Sequence, residues 1–196
     1  MGQTEITVQV FSKDSEELVR KLKHNNFELV DQYRLVDYYF SKYNNTTLQN
    51  MSYADIIKNS FLVRECNGDV SIVYKSKEID KDNNVISETK KRFKIADNIV
   101  AKEVFLNAGL NNWCNLVQDI YCYKNKEMEI MVQYVDDLGV FIEYEEDTSV
   151  EHLETKQKVK VMVKKLKSIG LAIGTDFSVK KVYEKFIKNS RNDLNK

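Results

Sequence analysis

Two carboxylates stand two positions apart, at Glu143 and Glu145, within the segment Leu138–Glu145. Side chains alternate along a strand, so these acids share one strand face and the apolar residues beside them share the other. The segment Glu5–Val10 has the same design, with polar residues at odd positions and apolar residues at even ones. Such a pattern predicts a polar sheet face that is exposed to water or binds a cation.

The composition limits the classes of partner. The chain has 196 residues, of which 42% are hydrophobic and 31% charged, as in a globular protein. Lys plus Arg and Asp plus Glu both number 30, and this zero net charge argues against binding nucleic acid by bulk electrostatics. No apolar run reaches the roughly 20 residues of a membrane span. With three cysteines that lack metal-like spacing, the sequence predicts a cytoplasmic protein without a membrane partner.

Hydrophobic periodicity and turn signals predict an α+β chain. About eight mostly antiparallel strands and four or so helices are expected, with a hairpin at Asn67-Gly68. Asp14 and Thr148 are predicted helix caps, the second opening a long helix over 149–168. A further turn is expected near 80–84. We expect residues 1–190 to form a single domain and 191–196 a frayed tail.

Several strands carry polar residues where a one-sided sheet would bury apolar ones. An eight-stranded antiparallel barrel, closed or nearly closed, with a polar lumen and flanking helices accounts for this pattern. An open sheet with one wet face explains it almost as well.

Several short motifs occur in an order that resembles the CYTH domain superfamily, which includes class IV adenylyl cyclases and thiamine triphosphatases. The resemblance covers nearly the whole chain and implies a triphosphate tunnel that also binds a divalent metal. The segment Leu138–Glu145 is its most specific element. The other matching motifs are Asp37-Tyr38-Tyr39-Phe40, the hairpin Phe61–Gly68 with Arg64, and the strand end Tyr74-Lys75.

The resemblance also implies roles for individual residues. Carboxylates of Glu5, Glu143 and Glu145 would bind Mg²⁺ or Mn²⁺, because these cations prefer oxygen ligands. Arg64 and Lys75 would orient the phosphates of a small organic phosphate or triphosphate, and a homodimer is compatible with this assignment. Three further cations alternate on one strand and either add an anion site or protect a sheet face or edge from aggregation; they are Lys90, Arg92 and Lys94.

The chain departs from the family pattern at several charged positions. The first strand has Thr7 and Gln9 where the family has an acid and a lysine, and Leu62 replaces one arginine of an Arg-x-Arg pair. Gln133 stands where the family has an aspartate. A hydrogen bond to a charged group contributes about 1.5–3 kcal/mol, so three or four missing phosphate contacts would weaken catalysis by several powers of ten.

Two functions follow. The first is a class IV adenylyl cyclase-type protein that binds a triphosphate but has lost most catalysis. The alternative is an active, metal-dependent phosphohydrolase or cyclase that acts on a nucleoside, thiamine or inorganic triphosphate. A scaffold that functions through its outer surface is a third hypothesis, which the sequence neither supports nor excludes.

Overall fold

The structure is a computed structural model that describes residues 4–12, 14–79 and 85–194. Within these ranges it is α+β, as predicted. The strands are β1 (Glu5–Val10), β2 (Glu28–Ser41), β3 (Asn59–Cys66), β4 (Asp69–Ile79), β5 (Val85–Ile95), β6 (Asn111–Lys124), β7 (Glu129–Val135) and β8 (Gly139–Glu145). The helices are α1 (Ser15–His24), α2 (Asn45–Gln49), α3 (Tyr53–Lys58), α4 (Asn98–Asn107), α5 (Thr155–Ser168) and α6 (Lys181–Leu194).

The eight strands form one antiparallel sheet in the order β1-β8-β7-β6-β2-β3-β4-β5. This order has two ends, so of the predicted forms, a closed or nearly closed barrel or an open sheet, the fully closed barrel is wrong. The outer edge of β1 is instead hydrogen-bonded to the segment 172–177. The Thr7 amide donates to the Phe177 carbonyl at 3.0 Å, and the Phe11 amide donates to the Ala172 carbonyl at 2.7 Å.

The chain divides into two compact units, and β2 and β6 each run through both. Unit one comprises residues 1–33, 119–135 and 139–179, and unit two comprises residues 34–118, 136–138 and 180–196. In unit one, one face of β1 and β8 packs with α1 and α5 in a core that includes Ile6, Val8, Leu18, Leu22, Ile142, Tyr144, Met162 and Leu166. In unit two, one face of the sheet packs against α4 around Phe40, Val63 and Ala101.

Two of the predicted capping and turn signals, at Asp14 and Asn67-Gly68, are confirmed. The Asp14 carboxylate accepts a hydrogen bond from the Glu17 amide at 2.6 Å and so begins α1. The predicted hairpin turn is present, with Asn67 and Gly68 at φ angles of +48° and +86°. These positive angles are those of a two-residue hairpin turn, which Asn-Gly adopts readily. The turn predicted near 80–84 lies outside the described residues.

The predicted start of the long helix near 149 is wrong. Helix α5 begins at Thr155, where Glu154 and Gln157 form the capping box. Residues 148–152 form turns instead, because the Asp147 side chain accepts hydrogen bonds from the amide and hydroxyl of Ser149. Among the described helices, none combines the length and apolar character needed to cross a membrane.

Candidate metal and phosphate sites

Three glutamates of unit one converge, and we term Glu5, Glu143 and Glu145 the acidic trio. One carboxylate oxygen from each lies within 4.8 Å of the other two, and all three side chains are half-buried. Glu5 and Glu145 are direct cross-strand partners in the β1–β8 ladder. Like charges placed directly opposite each other destabilise a sheet by a few tenths of a kcal/mol up to about 1 kcal/mol. A bound cation would convert this repulsion into attraction.

The alternation of β1 and β8 fixes the direction of the acidic trio. Ile6 and Val8 on β1, and Ile142 and Tyr144 on β8, are all at most 1% exposed and belong to the core of unit one. Since neighbouring side chains on a strand point to opposite faces, burying this set places the glutamates on the other face.

The end of β8 is held by two ion pairs to α5. Glu146 pairs with Lys158 at 2.9 Å, and Asp147 pairs with Lys165 at 3.1 Å. The Tyr144 hydroxyl also donates to Asp147 at 2.7 Å. Desolvation alone would raise the pKa of Asp147, but hydrogen bonds from its neighbours hold that pKa well below its usual value. Asp147 is therefore a stable anion that fixes the backbone beside the acidic trio.

The donor set of the acidic trio fits a small divalent cation. Carboxylate oxygens are the ligands of Mg²⁺ and Mn²⁺. Two oxygens bound to one Mg²⁺ lie no more than about 4 Å apart, so oxygens already gathered within 4.8 Å need only small side-chain rotations to share an ion. Such an ion would neutralise phosphate charge and orient phosphate oxygens.

The five cations predicted to bind phosphate all belong to unit two and lie on one face of β3, β4 and β5. Directly opposed residues in a ladder point to the same side, so the registers establish this arrangement. We term this surface the cationic face. The opposing pairs that define it are Arg64–Ser71, Ser71–Lys94, Val73–Arg92 and Lys75–Lys90.

Arg64 is engaged with a buried carboxylate on the neighbouring strand. Its guanidinium donates to both oxygens of Asp37, at 2.7 and 2.6 Å. The Asp37 side chain is 1% exposed and that of Arg64 is 19% exposed. This bidentate pair orients Arg64 but neutralises much of its charge.

Lys75 and Lys90 lie around a second carboxylate, that of Glu88. Their ammonium nitrogens are 3.8 and 3.4 Å from the Glu88 carboxylate, and that of Lys77 is 2.9 Å from it. Desolvation, reinforced by Arg64, lowers the pKa of Lys75 to about 8, while Glu88 opposes that shift. Burial would raise the pKa of Glu88, but the three lysines outweigh it and lower that pKa to about 2. Glu88 is consequently ionised at neutral pH.

The other two predicted cations, Arg92 and Lys94, are exposed. Arg92 donates to the Ser71 hydroxyl at 3.0 Å. Lys94 pairs with Asp69 at 3.3 Å, with side chains that are 74% and 65% exposed. A salt bridge as exposed as the one between Lys94 and Asp69 contributes at most about 1 kcal/mol. Little energy therefore opposes a change of partner by Lys94 when a ligand binds.

Three of the four departures from the family pattern occupy buried positions. Leu62 is fully buried and Thr7 is 2% exposed, so neither offers a charge to a ligand. Gln133 is 3% exposed and donates to the Glu143 carboxylate at 3.2 Å. The glutamine therefore orients a member of the acidic trio without adding a negative charge to it.

Three charged residues of unit two have no predicted role in a site, namely Asp37, Lys77 and Glu88. Lys90, Arg92 and Lys94 were identified because they stand at every second position of one strand. Glu88 is the next such position on β5, two residues before Lys90, and Lys77 stands two residues after Lys75 on β4. This period-two signal could have found both residues. Nothing local indicated that Asp37, which belongs to one of the matching motifs, would pair with Arg64, because Arg64 is 27 positions away.

Comparisons with known proteins show what the chain as a whole is similar to. No protein-family model matches the chain. A putative adenylate cyclase of Methanocaldococcus jannaschii is 25% identical over 182 residues, which cover 91% of this chain and 95% of the relative. The structure of a putative adenylate cyclase from Vibrio parahaemolyticus matches with a TM-score of 0.63 and 15% identity, covering 96% of this chain and 99% of that one.

A second structural neighbour is named for an enzymatic activity. A putative adenylyl cyclase from Hippeastrum, described as having a dominant triphosphatase activity, matches with a TM-score of 0.59 and 13% identity, covering 95% and 96% of the two chains. At these identities the structural likeness shows a shared fold. Together with the curated relative, it confirms the predicted resemblance to the CYTH superfamily.

Proposed function

We propose that this chain binds a triphosphate and a divalent metal ion, Mg²⁺ or Mn²⁺, and contributes little catalysis. The acidic trio carries the proposal, because three carboxylate oxygens within 4.8 Å of one another suit a divalent cation. The cationic face supplies the anion site. Arg64, Lys75, Lys90, Arg92 and Lys94 would contact phosphate oxygens there.

Weak catalysis is the expected consequence of how these groups are engaged. Phosphoryl transfer depends on positioning and on electrostatic stabilisation of charge that develops in the transition state. Arg64 already donates two hydrogen bonds to Asp37, and Leu62 is a buried apolar residue at the position of a second arginine. The groups that remain would hold a ground-state triphosphate better than they would stabilise its transfer.

The second candidate function is an active phosphohydrolase or cyclase. The close approach of Glu5, Glu143 and Glu145 favours it. A metal ion held by these carboxylates could supply much of the charge stabilisation that is lost with the missing Lys and Arg side chains. The two candidates differ in turnover. Release of phosphate or pyrophosphate in the presence of Mn²⁺, lost in Glu143→Gln, would support the enzyme.

A thermal-shift titration tests the proposed function. Purified protein is heated with tripolyphosphate or ATP, each with and without Mg²⁺ or Mn²⁺. Ligand at a hundred times its dissociation constant adds about 2.7 kcal/mol, which is roughly 5–10 °C for a chain of this size. A shift that requires metal would support binding of a triphosphate together with a divalent metal ion. No shift with any polyphosphate would contradict the proposal.

The affinity for triphosphate is also expected to fall as the pH rises through about 8. Lys75, whose pKa is lowered to about 8, is cationic below that value and neutral above it. Raising the pH from 7 to 9 should therefore weaken binding about tenfold, as measured by isothermal titration calorimetry.

The Lys75→Met variant should bind triphosphate more weakly than the wild type at pH 7, and its affinity should vary less with pH. Equal wild-type affinities at the two pH values would contradict this role. The charged groups that face Lys75 are Asp37, Arg64, Lys77, Glu88 and Lys90.

A further inference from the structure

Glu88 lies at the centre of three lysines on the cationic face. It is directly opposite Lys77 in the β4–β5 ladder, as Lys90 is directly opposite Lys75. The ammonium groups of Lys77, Lys90 and Lys75 lie 2.9, 3.4 and 3.8 Å from its carboxylate. The Glu88 side chain is 9% exposed. This is the arrangement that a phosphate group would require, with a carboxylate of the protein in its place.

The two oxygens of the Glu88 carboxylate are held unequally. Oε2 lies 2.9 Å from Lys77, within hydrogen-bond distance. Oε1 is buried and accepts no hydrogen bond within the described part of the chain, although Lys90 and Lys75 lie near it. A buried charged oxygen without a hydrogen bond loses its hydration without full compensation. The contact of Glu88 with Lys75 and Lys90 is therefore the weaker side of the cluster.

We infer that Glu88 is an internal counter-ion that competes with the ligand for Lys75 and Lys90. This inference rests on the proposed function and adds to it a residue that sets the affinity of the anion site. An incoming anion must outweigh the attraction of Glu88 for these two lysines. The site should therefore favour anions with several charges, such as a triphosphate, over singly charged ones.

The test is the affinity for tripolyphosphate of the Glu88→Gln variant. Titration calorimetry at pH 6.5 in the presence of EDTA keeps Lys75 protonated and excludes any metal held by the acidic trio. The variant should bind about tenfold more tightly than the wild type, because one competing negative charge is removed. Without ligand it should also be less thermostable, since its lysines lose their counter-ion, and it should gain more stability from added tripolyphosphate.

Glu78→Gln is the matched control. Glu78 is exposed on β4, lies opposite Ser87 in the ladder and accepts a hydrogen bond from the Ser87 hydroxyl at 3.0 Å. The residue before it in the chain, Lys77, is the one paired with Glu88. This substitution removes the same charge from the protein without touching the lysine cluster. Its affinity should stay within about twofold of the wild type.

The outcomes separate this inference from the proposed function. Binding by the wild type with no gain in Glu88→Gln would overturn the inference alone. Binding by Glu88→Gln but not by the wild type would support the inference, and binding by neither would overturn it. The proposed function is tested separately, because only the absence of a thermal shift with polyphosphate and metal together would contradict it. If Glu88→Gln does not fold, the double variant Lys77→Met/Glu88→Gln keeps the net charge of the wild type. It should bind tripolyphosphate more tightly than Lys77→Met alone, and equal affinities of these two variants would overturn the inference.

Discussion

Replacing Asp37 with asparagine is expected to lower the free energy of unfolding by about 3–5 kcal/mol. Asp37 is 1% exposed and accepts two short hydrogen bonds from Arg64, whose side chain is 19% exposed. Asparagine keeps the size of the side chain but removes its charge, which leaves a guanidinium poorly solvated and without its counter-ion. Urea denaturation followed by circular dichroism would measure the loss.

Asp69→Asn is the matched control for this prediction. Asp69 is also an aspartate paired with a cation of the cationic face, but both it and Lys94 are largely exposed. Because water solvates both charges, the loss should be at most about 1 kcal/mol. Equal losses in Asp37→Asn and Asp69→Asn would show that burial of the Asp37–Arg64 pair does not determine its contribution.

Replacing Glu143 with glutamine is expected to weaken Mn²⁺ binding by at least about a hundredfold. Changes to groups that only orient a metal ligand cost about 10–100-fold in affinity, and Glu143 would be a ligand itself. Glutamine retains an oxygen that can accept the 3.2 Å hydrogen bond from Gln133, so the local structure should persist. Calorimetric titration with Mn²⁺ would measure the change.

The thermal stability of the metal-free Glu143→Gln variant provides an internal check. Removing one of three carboxylates that lie within 4.8 Å of one another relieves repulsion, so this stability should be unchanged or slightly higher. Glu129→Gln is the control, because Glu129 is an exposed residue of unit one paired with Lys124. It should bind Mn²⁺ as the wild type does. Equal loss in both variants would contradict a specific site at the acidic trio.

Patterns within short segments predicted much of this molecule. Strict alternation over Glu5–Val10 and 138–145 placed all three glutamates on the face opposite the core, because a strand reverses the direction of its side chains at every residue. The same rule placed Lys90, Arg92 and Lys94 on one face. Turn chemistry predicted the hairpin at Asn67-Gly68 for an equally local reason, the tolerance of these residues for positive φ angles.

Other features depended on contacts that local patterns do not encode. The helix expected to begin near 149 begins at Thr155, because Asp147 binds Ser149 and Lys165 in place of the predicted cap. A closed barrel, a nearly closed one and an open sheet were all compatible with the strand patterns, and the strand order, which has two ends, excludes full closure. The outer edge of β1 is hydrogen-bonded to the segment 172–177. A strand pattern identifies the faces of a strand and does not identify the neighbour at each edge.

The sequence by itself determined which residue types lie on each strand face and therefore which of them could bind a cation or an anion. Only the tertiary structure decided which charges meet. It pairs Arg64 with Asp37 across 27 positions and sets Glu88 among three lysines. The physical reason is that a face depends on the period of one strand, whereas a pair depends on the register between two strands, which the packing of the whole chain selects.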